Sequence, residues 1–275
     1  MQISTPTTQD TINGLICLAI CDSIGNKFEF LSKSKFKPQD IIDHAQSNEP
    51  KNITDDTQMT LFGFDAMLNN RPFADSYLDW YTTQTKDYIP NNNGLMSFEE
   101  LYHQRDPGFT CMNSLHHLQL TGEIDTTNNS CGCGAIMRLL PLTLCDFDDK
   151  KVRESIEVTH HHEENIEAAN LLIAAYTLTP ILSLIKNTKN IEDFGNGYGW
   201  TSLSCVQMAL WAVHNSRTFD ELLINSIHHD GDSDSVAAVA GSIWGMIGNP
   251  YPAKYYSNIV EKSSIDYIVS KLRLV

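Results

Sequence analysis

The sequence predicts an all-α fold in one domain covering residues 1–275, and three observations lead there. Apolar residues recur at helical spacing in several separate windows. Alternating apolar–polar runs, the mark of half-buried strands, are nearly absent. No shift of composition and no internal repeat marks a boundary between domains or a solenoid period. A chain of 275 residues that is 41% hydrophobic can bury a large core, which excludes a disordered protein.

The elements follow in order. Ile12, Leu15, Ile16, Ala19 and Ile20 trace one face of a first helix. Residues 32–53 are polar and contain Pro38 and Pro50, so they read as a loop joining two core helices. Thr54 opens a second helix, in which Met59, Phe62, Ala66 and Met67 share a face. Residues 86–108 contain Pro90, a run of three asparagines and Pro107, and read as a second long loop of the kind that serves as a lid. Residues 166–185 form a long apolar helix candidate, kinked or ended near Pro180; its Asn170, Thr177, Thr179 and Ser183 make it a poor membrane span. Residues 186–200 are a polar connection, and 202–216 and 219–227 read as two further helices. Residues 235–248 are rich in Ala and Val and carry Gly241 and Gly245, which allow close helix approach; a packed central helix is expected there.

Charge and cysteine use narrow the function. The formal net charge is −15, which disfavours a nucleic-acid partner, because displacing counterions from phosphates needs a basic surface. The N-terminal MQISTPTTQD has no basic residue ahead of an apolar run and does not read as a secretory signal. Seven cysteines at spacings that fit neither a disulfide framework nor a zinc ribbon point to a reduced, cytoplasmic setting away from membranes.

Four clusters carry chemistry. TDDTQ at 54–58 stands directly before a helix. It is either an N-cap followed by acids that favour the helix dipole, or an oxygen-donor site for a hard divalent cation. HDGDSDS at 229–235 also precedes an apolar helix. An EF-hand beginning at Asp230 would need Gly sixth and Glu twelfth, but Ser235 and Gly241 stand there. The loose DxDxV pattern of haloacid-dehalogenase-like phosphatases is also rejected, since no strand precedes it and too little chain follows. If the two helix starts meet, Thr54, Asp55, Asp56, Asp232, Asp234 and Ser235 supply six oxygen ligands, enough to anchor two Mg²⁺ or Mn²⁺ with water. SCGCGAIMR at 130–138 reads as a tight glycine loop whose N–H groups can approach an anion, with Arg138 either a phosphate ligand or half of a buried ion pair. THHHEE at 159–164 lacks the zinc HExxH pattern and opens a helix with imidazoles that are either exposed or turned to a ligand.

In combination and in order, these motifs resemble the ADP-ribosylglycohydrolase family. GLICLAICDSIG at 14–25 is similar to that family's opening helix, and FEF at 28–30 to its V-E-F. TDDTQM at 54–59 stands close to the family's TDDTQM. RDPGFTC at 105–111 resembles the RAPGxTC run of one bacterial branch, and residues 130–141 its S-x-G-C-G-x-x-M-R-x-x-P. Thr159 and His160 fit the family's TH pair, and residues 231–235 its GDSDS. Cys21 replaces a usual Gly, Asp230 a usual Gly, Ser or Thr, and Cys133 an Asn common in the family. These departures bear on substrate preference more than on fold.

The resemblance implies a multi-helix domain with a binuclear Mg²⁺ or Mn²⁺ cleft, ligated by Thr54, Asp55, Asp56, Asp232, Asp234 and Ser235. It implies that Asp55 or Asp56 orients and deprotonates a water, and that Glu29 gates the site and assists proton transfer. Gly132, Cys133 and Gly134 would line the diphosphate-ribose region, His160 would contact the ligand, and Asp87 would sit on the substrate side. The expected reaction releases ADP-ribose from a modified protein, foremost from an N-glycosidic arginine adduct. An O-linked serine adduct, O-acetyl-ADP-ribose or poly(ADP-ribose) are alternative substrates. A further alternative is an immunity-type protein that blocks a basic ADP-ribosyltransferase toxin by occlusion.

Overall fold

A computed structural model describes residues 6–177, 190–194 and 198–275. Among the described residues the secondary structure is helical, with two isolated bridges, Lys51 to Ile259 and Gly132 to Thr201, and no strands. Twelve α-helices are described: α1 Thr8–Gly25, α2 Pro38–Gln46, α3 Asp55–Leu68, α4 Phe73–Thr85, α5 Phe109–Thr121, α6 Asp149–Glu157, α7 Glu163–Thr177, α8 Ser202–His214, α9 Phe219–Ile227, α10 Ser233–Met246, α11 Ala253–Tyr256 and α12 Lys262–Leu272.

The centre of the fold is the antiparallel pair α1 and α10. α1 starts at Thr7, whose hydroxyl accepts from Asp10 N while Asp10 returns the bond to Thr7 N. This capping box fixes where the helix begins. The sequence expects α1 to bury one face. Instead, every residue from Leu15 to Gly25 is buried, and so is all of α10, because other helices surround the pair. Small residues bring the pair together. A Cβ on Gly241 would lie 2.4 Å from Cys17 O, and one on Gly245 would lie 2.3 Å from Asn13 O. At the far end a Cβ on Gly25 would lie 2.7 Å from Asp234 Cα. The close contact therefore runs up to the acidic start of α10.

The remaining described helices pack around this pair in one continuous core. The loop expected over residues 32–53 holds a helix, α2, with Ile41, Ile42 and Ala45 buried. Pro38 stands at its start, where a missing N–H costs nothing, and Asp40 accepts from Lys37 N at 2.7 Å. The stretch 86–108 is irregular as expected, apart from two short 3₁₀ turns. The apolar helix expected over 166–185 is described as α7 up to Thr177; the remainder, with Pro180, lies outside the described residues.

Candidate metal centre

Three helix ends meet at the base of a cleft of about 380 Å³. The last turn of α1 brings Asp22, the first turn of α3 brings Thr54, Asp55 and Asp56, and the first turn of α10 brings Asp232, Asp234 and Ser235. Both acid clusters keep their local capping role: Asp56 N donates to Thr54 Oγ1 at 3.3 Å, and Ser235 N donates to Asp232 Oδ1 at 3.2 Å. The capping and cation readings of these motifs are compatible, since the partial positive charge of two helix N-termini favours the carboxylates gathered there.

The donor set is almost entirely oxygen. Single carboxylate oxygens of Glu29, Asp232 and Asp234 lie within 4.8 Å of one another. Ser235 Oγ donates to Asp56 Oδ2 at 3.2 Å, and the same Asp56 oxygen is 3.1 Å from Thr54 Oγ1. Asp55 is held from the side: its N donates to Arg105 O at 2.9 Å, and its Oδ2 accepts from Gly108 N at 3.0 Å. Asp106 adds another carboxylate to the lining, and no Lys or Arg lines the cleft among the described residues.

This concentration of charge has electrostatic consequences. Burial first, then neighbouring carboxylates, push Asp56 and Asp232 well above the usual carboxylate range. Burial likewise pushes Asp55 well above that range and raises Asp234. Glu29 is raised to about 8 by burial, then by Asp234, Asp106, Asp55 and Asp22. Most telling are two orphans. Asp56 Oδ1 and Asp234 Oδ1 are buried without any hydrogen-bond partner. Buried polar atoms are normally satisfied, and a carboxylate oxygen lacking a donor in a cleft of acids fits a hard cation. The residues present therefore fit divalent cations.

Asp22 was not singled out by sequence reasoning, although its charge inside an apolar helix was a signal. It accepts from Thr54 N, Thr54 Oγ1 and Thr57 N at 2.8–3.2 Å, and also from Thr57 Oγ1. Four donors saturate it, so it orients the start of α3 rather than offering a free oxygen. Glu261 was missed as well. Fully buried, it pairs with Arg105 at 2.8 Å and accepts from Ile53 N at 3.1 Å, bracing the residue before Thr54.

The other expected site residues divide. Gly132, Cys133, Gly134 and His160 line the same cleft. A Cβ on Gly134 would lie 2.8 Å from Cys111 Sγ and 3.2 Å from His160 Cε1, so the glycine makes room for the ring. His160 is buried and driven down to about 3 by that burial and by Arg138, which keeps it neutral. Arg138 is neither a phosphate ligand nor half of an ion pair: fully buried, it donates to Ser155 O at 2.9 Å and Thr159 Oγ1 at 2.7 Å and stacks on Tyr77. With that donor on Thr159 Oγ1, the hydroxyl proton is available for His160 Nδ1, 2.7 Å away.

Asp87 is set apart from these residues. It lines a separate cavity of about 630 Å³ with Asp65, Arg71, Asp79 and Lys86, and shares no wall with the acidic cleft. It follows the end of α4, and the chain returns to the cleft only at Arg105.

The Glu29 segment closes one side. Phe30 N donates to Gly231 O at 2.7 Å, Lys33 N donates to Asp230 Oδ1 at 2.8 Å, and Lys33 Nζ pairs with Glu192. Gly231 has φ +112°, and a Cβ there would lie 2.1 Å from Tyr198 O, so only glycine fits. Phe30, Phe109 and Trp200, 62%, 80% and 48% exposed, form an aromatic rim to the cleft.

The helices and this cleft define an all-α protein with the donor set of a divalent-cation site. The chain belongs to the ADP-ribosylglycohydrolase family, whose sequence model matches residues 4–273, and it is an enzyme of that class. It is similar to the ADP-ribosylarginine hydrolase Tri1 of Serratia proteamaculans, at 25% identity over 94% of this chain and 75% of that one. The Tri1 of Pseudomonas putida is 26% identical over 86% and 71%. An uncharacterized protein of Archaeoglobus fulgidus is 26% identical over 51% of this chain, and the match spans 44% of its length. A solved structure, described as an ADP-ribosylglycohydrolase-related protein complex, shares the fold with a TM-score of 0.70 at 21% identity, over 97% of this chain and 98% of that one. Among the described residues no helix is long and apolar enough to cross a membrane.

Proposed function

We propose that this enzyme removes ADP-ribose from modified arginine side chains by hydrolysis that depends on two Mg²⁺ or Mn²⁺ ions. The observation that carries the reading is the pair of buried, unpartnered oxygens Asp56 Oδ1 and Asp234 Oδ1 in a cleft that no Lys or Arg among the described residues lines. Thr54, Asp55, Asp56, Asp232, Asp234 and Ser235 would hold the cations. The bound ions supply a grip on the ribose hydroxyls and a more acidic water.

The chain's own residues then have distinct tasks. Asp55, steered by Gly108 N, and Asp56 orient the water and accept its proton. Glu29, held over the cleft by the Phe30–Gly231 contact, carries a proton toward the departing guanidine. Gly132, Cys133 and Gly134 form the cleft wall that would face the diphosphate and ribose, with the ring of neutral His160 packed against the two glycines. The arginine linkage is favoured by the GDSDS form and by the two Tri1 relatives. The net charge of −15 favours a basic macromolecular partner, such as a transferase toxin or its modified target.

The test is release of ADP-ribose from arginine-modified and serine-modified protein, with Mg²⁺ and then with chelator. Asp55→Ala and Asp234→Ala are expected to abolish release while the helical circular dichroism signal stays. Undiminished turnover in either variant overturns the assignment. Protection against a transferase by inactive Asp55→Ala would point to occlusion instead.

A further inference from the structure

One wall of the acidic cleft carries sulfur. Cys133 Sγ lies 3.3 Å from Asp232 Oδ2 and 3.5 Å from Ser235 Oγ. Ser235 Oγ in turn reaches Asp56 Oδ2, whose sister oxygen is one of the two buried orphans. Asp56 and Ser235 are 1% and 4% exposed, so this corner is shielded from solvent. The thiol is fixed by backbone: Cys133 N donates to Trp200 O at 2.9 Å, and Ser202 N donates to Cys131 O at 2.8 Å. Asp232 belongs both to this corner and to the all-oxygen cluster with Glu29 and Asp234. The cleft thus has two unlike ends, one with oxygen donors only and one with sulfur among them.

We propose that Cys133 makes its end of the cleft a mixed sulfur–oxygen site that captures a thiophilic divalent cation, such as Zn²⁺, Co²⁺ or Cd²⁺, in preference to Mg²⁺. The proposal rests on the reading of the cleft as a cation site. Thiolate favours borderline and soft ions, whereas Mg²⁺ takes oxygen and water. On binding, the Cys133 S–H proton leaves to solvent and a sulfur–metal bond forms, with Asp232, Ser235 and Asp56 completing the donor set. No electron is transferred. A cell short of Mg²⁺ or loaded with zinc would then hold the enzyme in a different metal state.

The full-length reduced chain, stripped with chelator, is titrated with Co²⁺ and separately with Cd²⁺. A near-ultraviolet thiolate-to-metal charge-transfer band is expected in the wild type and in Cys131→Ser. It should vanish in Cys133→Ser and Cys133→Ala, with Cd²⁺ affinity falling about tenfold or more. Mn²⁺ titration and circular dichroism on the same variants check that fold and oxygen cluster persist. A band that survives in folded Cys133 variants overturns the proposal. So does wild type that binds Mn²⁺ in an Asp234-dependent way yet shows no band with Co²⁺ or Cd²⁺. If neither Mn²⁺ nor Co²⁺ binds, the cation reading falls and takes this one with it.

Discussion

Asp22 shows what a single side chain contributes without touching substrate. Its carboxylate gathers two backbone N–H groups and two hydroxyls from the first turn of α3, and so sets the position of Thr54 beside Asp56. Asp22→Asn keeps the size but replaces one acceptor oxygen by a donor. It is expected to weaken Mn²⁺ binding about 10–100-fold, the usual cost of losing an outer partner of a metal site, with helical circular dichroism unchanged. Unaltered affinity would show that Asp22 serves stability alone. At this scale the sequence was informative where oxygen donors sit in short motifs. Thr54, Asp55, Asp56, Asp232, Asp234 and Ser235 are adjacent in two strings, and the fold brings the strings together. The Glu261–Arg105 partnership was illegible because 156 positions separate the two residues and Glu261 stands in no metal-like pattern. Asp87 was placed by resemblance in a stretch with no matching motif, and it lies past the end of α4, in the wall of the other cavity.

At the scale of elements, the contact between α1 and α10 decides how close Asp22 and Asp234 come. Gly241→Ala would place a methyl 2.4 Å from Cys17 O, so the helices must separate. The expected cost is about 1–3 kcal/mol, read as a lower urea midpoint. Because the two helices carry Asp22 and Asp234, Mn²⁺ affinity should fall in the same variant. A destabilised protein with intact affinity would show that the site does not depend on this spacing. α10 was legible from its Ala, Val and Gly content. α2 was not, because Pro38 and a mostly polar surface look like a loop until the proline is placed at the first helical position, where it favours the helix.

For the whole molecule, pH and cation are linked. Glu29 is raised to about 8 and Asp22 to about 7 in the ion-free fold, each first by burial and then by nearby acids. Unfolded, these groups titrate near 4, so above that the folded state binds more protons than the unfolded one, and stability falls as pH rises toward 8. Buried neutral histidines act in the opposite direction. Burial lowers His44 to about 4 and His160 to about 3, so their contribution is complete above about 6.5 and is lost as pH falls. Between about pH 6.5 and 8 the raised carboxylates therefore set the direction. Chelated protein is expected to melt at lower temperature at pH 8 than at pH 6.5, and saturating Mg²⁺ should remove that difference. A melting temperature that rises over this interval without metal would contradict the electrostatic picture of the cleft. The all-α class was readable from helical periodicity, but the arrangement of helices around α1 and α10 was not, since it depends on contacts between residues far apart in sequence.

Glu261 gives the site a place in time as well as in space. During synthesis Asp22 and the Thr54 cluster leave the ribosome long before Glu261, whose carboxylate neutralises Arg105 and receives Ile53 N–H. Until then the segment leading into Thr54 lacks its brace, and Asp232 and Asp234 arrive only shortly before. A chain clipped before Glu261 would keep the acids of both clusters but lose the acceptor for Ile53 N–H and the partner of Arg105. The approach to Thr54 is thus braced by a pair 156 positions apart in the chain, and it is complete only once residue 261 is in place.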